Sequence, residues 1–275
     1  MTRRPTPVPL AQAGDAHLFG GKAARLAAAS RAGLPVPEGL ALPWSLVEAL
    51  AAGDPDAAAA LDAAASALGP ALAVRSSAVG EDSDVASFAG QHLSLLNVPA
   101  PRLADAVQAV CRSAGSEPAL AYRQRLGLEG RARVAVVVQE MVDADVAGVL
   151  FRPNPASGAD EVVIEAAWGL GEAVVSGLVT PDLFRLSVQG EVLERRSGVK
   201  DLEVGAVAGG GTAERPVVAA RARALCLDDG QLAGLHRLAM LCDAVFGGSQ
   251  DLEWALARGR LWLLQRRAVT TRAQA

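Results

Sequence analysis

Residues 134–139 read V-A-V-V-V-Q, a continuous and largely β-branched apolar run. Side chains leave a strand alternately to its two faces, so a run without polar alternation must be covered on both sides. That requirement constrains the fold more than any other stretch, because it demands a buried strand inside a sheet. Helix-spaced apolar residues supply the cover. They follow Gly20-Gly21-Lys22 up to Gly33 and the Pro35–Pro37 pair, and recur over 44–68 with a break near Gly53-Asp54-Pro55. Further helices are expected at 102–114, 118–125 and 232–246, the last stopped by Gly247-Gly248. Strands are expected at 72–74, 93–98, 147–151, 162–165, 183–188 and 191–195, with Gly209-Gly210-Gly211 as a turn between strands. The class is α+β, and 275 residues suffice for one large domain or two packed lobes.

Composition excludes several roles. A net charge of −4 and 4% aromatics argue against nucleic-acid binding by charge or base stacking. No run of 18 apolar residues lacks charges, so no membrane span is expected. Arg3-Arg4 resembles a twin-arginine signal only weakly, since prolines and Asp15 follow where an apolar core belongs. Cys111, Cys226 and Cys242 lack C-x-x-C spacing and read as reduced thiols of a cytoplasmic protein.

Three stretches carry chemistry. In 72–98 a short apolar strand delivers Arg75 and then small residues, Ser76, Ser77, Gly80, Ser83 and Ser87, before a second apolar run. Small side chains let backbone N–H groups approach an anion and the guanidinium adds a charged fork; a surface hairpin with a solvated loop has the same composition. Gly20-Gly21-Lys22 opens a helix, where free N–H groups favour an anion, although an exposed lysine at a helix start is as ordinary. Residues 251–267, D-L-E-W-A-L-A-R-G-R-L-W-L-L-Q-R-R, read as a hairpin turning at Arg258-Gly259. Counting by two puts Asp251, Glu253 and Ala255 on one face of the first arm, and Leu263, Gln265 and Arg267 on one face of the second. Such a patch of hard oxygens and a guanidinium suits Mg²⁺ with nucleotide phosphates, or is a solvated polar face.

These stretches, in order, resemble the nucleotide-binding domain of the phosphoenolpyruvate synthase, pyruvate phosphate dikinase and rifampin phosphotransferase family. So do G-G-K-A-A-R-L-A-A-A-S-R-A-G-L-P-V-P, A-G-V-L-F-R-P-N-P-A-S-G and V-V-I-E-A-A-W-G-L-G-E-A-V-V-S-G-L-V-T-P-D, and the likeness spans residues 20–271. The resemblance implies a two-lobed ATP-grasp fold, lobes 1–139 and 140–275, with ATP and Mg²⁺ in a cleft between them. It carries Lys22, Arg75 and Arg267 to phosphate, Gly90 to a backbone contact, and Ser94 to the nucleotide where the family often has threonine. Gln139, Glu140, Met141 and Val142 would seat the adenine at the hinge, and Glu253 and Gln265 would hold magnesium. Gly169, Gly171 and Gly177 resemble backbone-approach positions, with Glu172 near the nucleotide. Two departures stand out: 44–68 is compressed, and Arg266 and Ala268 replace residues usually small polar and proline.

In the relatives the domain passes the β-phosphate of ATP to a histidine on a swivelling domain. His17, His92 and His236 are the only histidines, and none has the Gly-rich, Ser-His context of that acceptor. The expected function is therefore an ATP-dependent phosphotransferase domain whose partner is a separate phosphohistidine carrier. A small-molecule acceptor, as in a stand-alone kinase or ligase, and a non-catalytic nucleotide-sensing module are the alternatives.

Overall fold

The valine run is the middle strand of a five-stranded antiparallel sheet. The computed structural model describes residues 4–79, 93–117, 133–248 and 250–267. Gly90, His92, the loop residues Gly80, Ser83 and Ser87, the helix expected at 118–125 and Ala268 lie outside the described residues. The chain divides into two compact units.

Unit 1 is drawn from Met1–Arg31, Pro37–Met141 and Ala208–Gly211. Its elements are β1 (Val8–Pro9), α1 (Ala16–Arg31), β2 (Gly39–Leu42), α2 (Trp44–Ala51), α3 (Pro55–Ala65), β3 (Ala71–Ala78), β4 (Ser94–Pro99), α4 (Leu103–Ser113) and β5 (Val134–Glu140), with sheet order β1-β2-β5-β3-β4. Val134, Val136 and Val138 point into an apolar cluster with Leu72 and Val74 of β3, Leu50 of α2, Leu61 of α3 and Val107 of α4. Ala135 and Val137 alternate to the other face, are equally buried, and α1 packs against β3 and β5 there. Full burial of each valine contributes about 1.5–3 kcal/mol. The break expected near Gly53-Asp54-Pro55 is a stop and a start. Gly53 turns left-handed (φ 79°), and the Asp54 carboxylate accepts the N–H groups of Asp56 (2.9 Å) and Ala57 (3.3 Å) to cap α3.

One expectation fails here. Arg75, Ser76 and Ser77 are strand residues, not the start of a loop, because β3 continues to Ala78 with Arg75 opposite Val137, Ser76 opposite Val136 and Ser77 opposite Ala135. Small side chains suit a strand that a helix approaches closely. Gly20 breaks α1 with φ 76° and ψ 166°, and a Cβ there would lie 2.0 Å from the Ser77 carbonyl oxygen. The Ser77 hydroxyl donates to Phe19 O (2.7 Å) and accepts from the Ala23 N–H (3.1 Å), capping the helix where it restarts.

Unit 2 is drawn from Ala32–Val36, Val142–Val207 and Thr212–Ala275. It contains β6 (Val146–Arg152), β7 (Val162–Trp168), α5 (Glu172–Val175), β8 (Asp182–Leu186), β9 (Val192–Arg196), β10 (Leu202–Ala206), β11 (Thr212–Pro216), α6 (Ala219–Ala222), α7 (Asp229–Phe246), β12 (Gln250–Ala257) and β13 (Arg260–Arg267). Six strands form an antiparallel sheet in the order β13-β12-β6-β7-β8-β9, while β10 and β11 pair as a separate hairpin. Gly148 of β6 lies opposite the buried Trp254, and a Cβ on it would fall 1.9 Å from the Glu165 carbonyl oxygen. A reciprocal capping box of Asp228 and Gln231 starts α7.

Two polar clusters hold the far strands of this sheet. The Lys200 ammonium pairs with the Asp182 carboxylate with both side chains fully buried. Asp182 also accepts the N–H groups of Gly198 (2.8 Å) and Cys226 (2.7 Å), so the carboxylate is hydrogen-bonded on both oxygens. Breaking such a pair from one side strands a charge, typically at a cost of about 3–5 kcal/mol. Glu161 is gripped by Arg185 at 3.0 and 2.8 Å and by Asn154, and these hydrogen bonds hold its carboxyl below the usual range.

Neighbouring serines of β3 give a contrast that tests this account. The Ser76 hydroxyl is buried on the apolar face and has no hydrogen-bond partner among the described residues. Ser77→Ala is expected to lose about 1–2 kcal/mol in urea unfolding, whereas Ser76→Ala should be neutral or stabilising, since an orphaned hydroxyl costs about 1–3 kcal/mol. Equal losses in both variants would contradict the assignment.

Candidate functional site

In unit 1 the backbone brings three of the sequence-derived residues together. The restart of α1 after Gly20 puts Lys22 in the first turn, and its ammonium donates to the Ser76 carbonyl oxygen at 2.7 Å. That carbonyl adjoins Arg75, which is 9% exposed on β3 and stands directly opposite Ser94 in the β3–β4 register. Two cations and a hydroxyl therefore gather along β3, beside a helix start whose dipole favours an anion.

The hinge residues divide by what their polar groups already do. Gln139 is 2% exposed, and its amide donates to Pro37 O at 3.2 Å, so the side chain anchors the chain segment before β2. The Glu140 carboxylate accepts the Gly69 N–H at 3.1 Å. The backbone N–H of Glu140 is given to Glu38 O (2.9 Å) and that of Met141 to Ala71 O (3.0 Å). Among the described residues nothing accepts the N–H of Val142. A nucleotide base read by the backbone over 139–142 would find its donor at Val142, because the two preceding donors are spent.

Unit 2 carries the hairpin of β12 and β13. Glu253 stands opposite Gln265 and Asp251 opposite Arg267. Leu263 departs from the expected face. The register shifts between Glu253 and Trp254, so Leu264 is an extra residue and Leu263 comes opposite Trp254, both fully buried. Counting by two cannot cross a bulge, and the polar face keeps Gln265 and Arg267 only.

The Arg267 guanidinium donates through Nη2 to Glu253 Oε1 at 2.7 Å and lies 3.7 Å from Asp251 Oδ2 through Nε. That Nε is buried without a hydrogen bond among the described residues. Burial pushes the Asp251 carboxyl up, Arg267 pulls it down, and Glu253 adds to the rise. Asp251 is the residue that sequence reasoning placed on this face but left out of the candidate set; the alternation that found Glu253 was its signal. Among the described residues no group of three or more His, Cys, Asp or Glu is placed to hold a metal. Mg²⁺ needs no such cage, since it takes one or two carboxylates plus phosphates and water, and the oxygen donors of Glu253, Gln265 and Asp251 fit that demand. Arg266 faces elsewhere: its Nε donates to Gln250 Oε1 (3.0 Å), and its guanidinium covers the Phe246 ring at 4.6 Å, fastening the hairpin to the end of α7.

Other candidates take structural roles. Gly169 is a close-approach position, with φ 75° and a virtual Cβ 2.4 Å from Val204 O. Gly177 has left-handed φ with open space around it, and Gly171 has neither property, its virtual Cβ in ordinary contact with Ala147. Glu172 has a buried Oε2 without a partner among the described residues. His236 donates through Nε2 to Val188 O (2.9 Å) and packs on Gly190. Burial pushes the Cys226 thiol up and the Cys242 thiol to about 12, so neither is a thiolate nucleophile near neutrality. No helix among the described residues is long and apolar enough to cross a membrane.

Asp251 gives a pH test. A carboxyl raised in the folded state adds no cost below its unfolded pKa and destabilises increasingly as pH rises through the folded value. Asp251→Asn should therefore remove one falling step from the stability–pH curve in the acid range, read by thermal unfolding between pH 3 and 8 as about that span. An unchanged curve would mean that burial does not perturb this group.

Residues 42–275 match the family described as pyruvate phosphate dikinase, AMP/ATP-binding domain. A rifampicin phosphotransferase of Streptomyces sviceus is 43% identical over 204 residues, covering 73% of this chain and 23% of that protein. A probable phosphoenolpyruvate synthase of Methanothermobacter thermautotrophicus is 39% identical over 207 residues, covering 74% of this chain and 30% of its own length. The prodigiosin synthesizing transferase PigC of Serratia marcescens is 37% identical over 289 residues, covering 94% of this chain and 32% of that protein. The chain thus spans about a quarter to a third of the length of these curated relatives. The α+β class read from the sequence agrees with the mixed helices and sheets, and the chain belongs to the AMP/ATP-binding domain family of pyruvate phosphate dikinase.

Proposed function

We propose that this chain is the Mg-ATP-binding part of a phosphotransferase. In this reading the β-phosphate of ATP passes to a histidine outside these 275 residues with release of AMP, and water takes the γ-phosphoryl group as inorganic phosphate. Family membership over 42–275, a range that holds Arg75, Glu253, Gln265 and Arg267, carries the reading. The lobes would be 1–139 and 140–275, and the reduced cysteines go with a cytoplasmic location.

Phosphoryl transfer depends on positioning and charge neutralisation more than on covalent chemistry from the protein. Lys22, beside Ser76, and Arg75, opposite Ser94, would hold phosphate oxygens from unit 1. Gly90 would add a backbone contact, and the Val142 N–H would orient the base next to Gln139, Glu140 and Met141. From unit 2, Glu253 and Gln265 would hold magnesium, which screens phosphate charge when bound. Arg267, paired with Glu253 and Asp251, would turn its guanidinium to the phosphate. Asp251 thereby becomes an orienting group for Arg267.

Two experiments test this. Lys22→Ala and Arg75→Ala should each lower ATP turnover by about 10²-fold or more while the protein stays folded, and Glu253→Ala should remove the magnesium-dependent part. Full activity in any of them would withdraw the role assigned to that residue. Second, ATP labelled at the β-phosphate is followed in a soluble extract of the source cells. Acid-labile label on protein with AMP formed is the expected result. Label on a small molecule with AMP would shift the acceptor to the kind of substrate that a rifampicin phosphotransferase has in its name. Label retained in ADP would make the chain an ordinary kinase or ligase, and no turnover would leave a nucleotide-sensing module.

A further inference from the structure

The tip of the β10–β11 hairpin is Gly209-Gly210-Gly211, read from the sequence as a plain turn. All three glycines have positive φ, at 85°, 111° and 80°. Turn geometry accounts for Gly209 and Gly211, around which a Cβ would meet nothing within 4 Å. Gly210 is different: a Cβ there would fall 2.6 Å from Pro99 Cδ and 2.8 Å from Pro99 Cγ. Residues 208–211 group with unit 1, and the contact is with its edge strand β4.

The point of contact is a bulge. Leu72 pairs with Val98 and Val74 with Leu95, so Leu96 and Asn97 together face the single residue Ala73. Asn97 takes the left-handed conformation, φ 52°, which Asn tolerates better than most side chains. Its side-chain amide donates to Gly211 O at 2.8 Å, and its own carbonyl accepts the Gly211 N–H at 2.9 Å. A bulge is a position from which register can slip, and a slip of one residue turns every following side chain to the opposite face. Three residues before Asn97 stands Ser94, opposite Arg75.

We propose that the tri-glycine tip is a register clamp on β4: by pinning Asn97 it holds Ser94 on the same face as Arg75. Asn97 and Gly210 are then positioning residues for the nucleotide, and this rests on the ATP reading above. Gly210 lets the tip come within reach of Pro99, and Asn97 supplies the bidentate lock. Gly210 thus meets two demands at once, a φ of 111° that favours glycine and a proline ring where a Cβ would sit.

Calorimetric titration with the non-hydrolysable analogue AMP-PNP and magnesium tests the clamp. Asn97→Gly keeps the positive φ and the carbonyl acceptor and removes only the side-chain donor. It should weaken binding about fivefold, the worth of one hydrogen bond, and Gly210→Ala should do the same by displacing the tip. In a Ser94→Ala background Asn97→Gly should cost nothing further, because the clamp acts through Ser94. Unchanged affinity in Asn97→Gly and Gly210→Ala, or the same loss with and without Ser94, overturns the proposal and leaves a merely structural contact. Amide exchange across 93–98 reads the register without ligand, and Asn97→Gly should lose protection there. If the wild-type chain binds no nucleotide the ATP reading falls by itself, and unchanged exchange in Asn97→Gly would then end the clamp as well.

Discussion

Burial of β5 is the constraint on which unit 1 depends. Its valines give alternate side chains to two apolar layers, and its backbone bonds to β2 on one side and β3 on the other. Fixing β5 fixes β3 in register, and with it Arg75 and the Ser76 carbonyl that receives Lys22. The end of the same strand supplies Gln139 and Glu140, whose side chains tie Pro37 and Gly69. Packing energy of an ordinary core is thereby converted into the placement of charged groups along β3.

Unit 2 reaches a comparable result by polar means. Its far strands are held by a buried Lys200–Asp182 pair and by the Arg185–Glu161–Asn154 network. At the opposite edge the β12–β13 hairpin carries a row of carboxylates, an amide and a guanidinium in register. Arg267 bridges Glu253 and Asp251, so two negative groups are kept side by side without an added cation. One guanidinium against two carboxylates leaves this edge of the sheet with an excess of negative charge.

Much of this was legible from residue order alone. Central burial of 134–139 followed from the absence of alternation, and the helix break at Gly53-Asp54-Pro55 from the chemistry of a left-handed stop and an Asp cap. Period-two counting put Glu253 with Asp251 on one arm and Gln265 with Arg267 on the other, and the bulge brought the two pairs opposite each other. Other features were hidden because they depend on partners distant in sequence. Ser76 and Ser77 look alike in a loop-like string, yet Ser77 caps a helix 54 residues away in sequence and the Ser76 hydroxyl has no partner among the described residues. Leu263 crossed to the buried face because a bulge is a local insertion without a composition signal.

Local rules determined what could be read early: helices from period and caps, strands from β-branched runs, and the family from ordered motifs. Each of those depends on a residue and its near neighbours. Tertiary structure decided which polar groups remained available. Lys200 and Asp182 are unremarkable in the chain and become a buried pair only when the ends of two strands meet. Of the donors at 140–142, only the one at Val142 lacks an acceptor among the described residues, because Glu38 and Ala71 claim the others. The tri-glycine turn acquired its meaning from Pro99 and Asn97, more than a hundred residues away, since a hydrogen bond or a steric limit exists only between groups that folding has brought into contact.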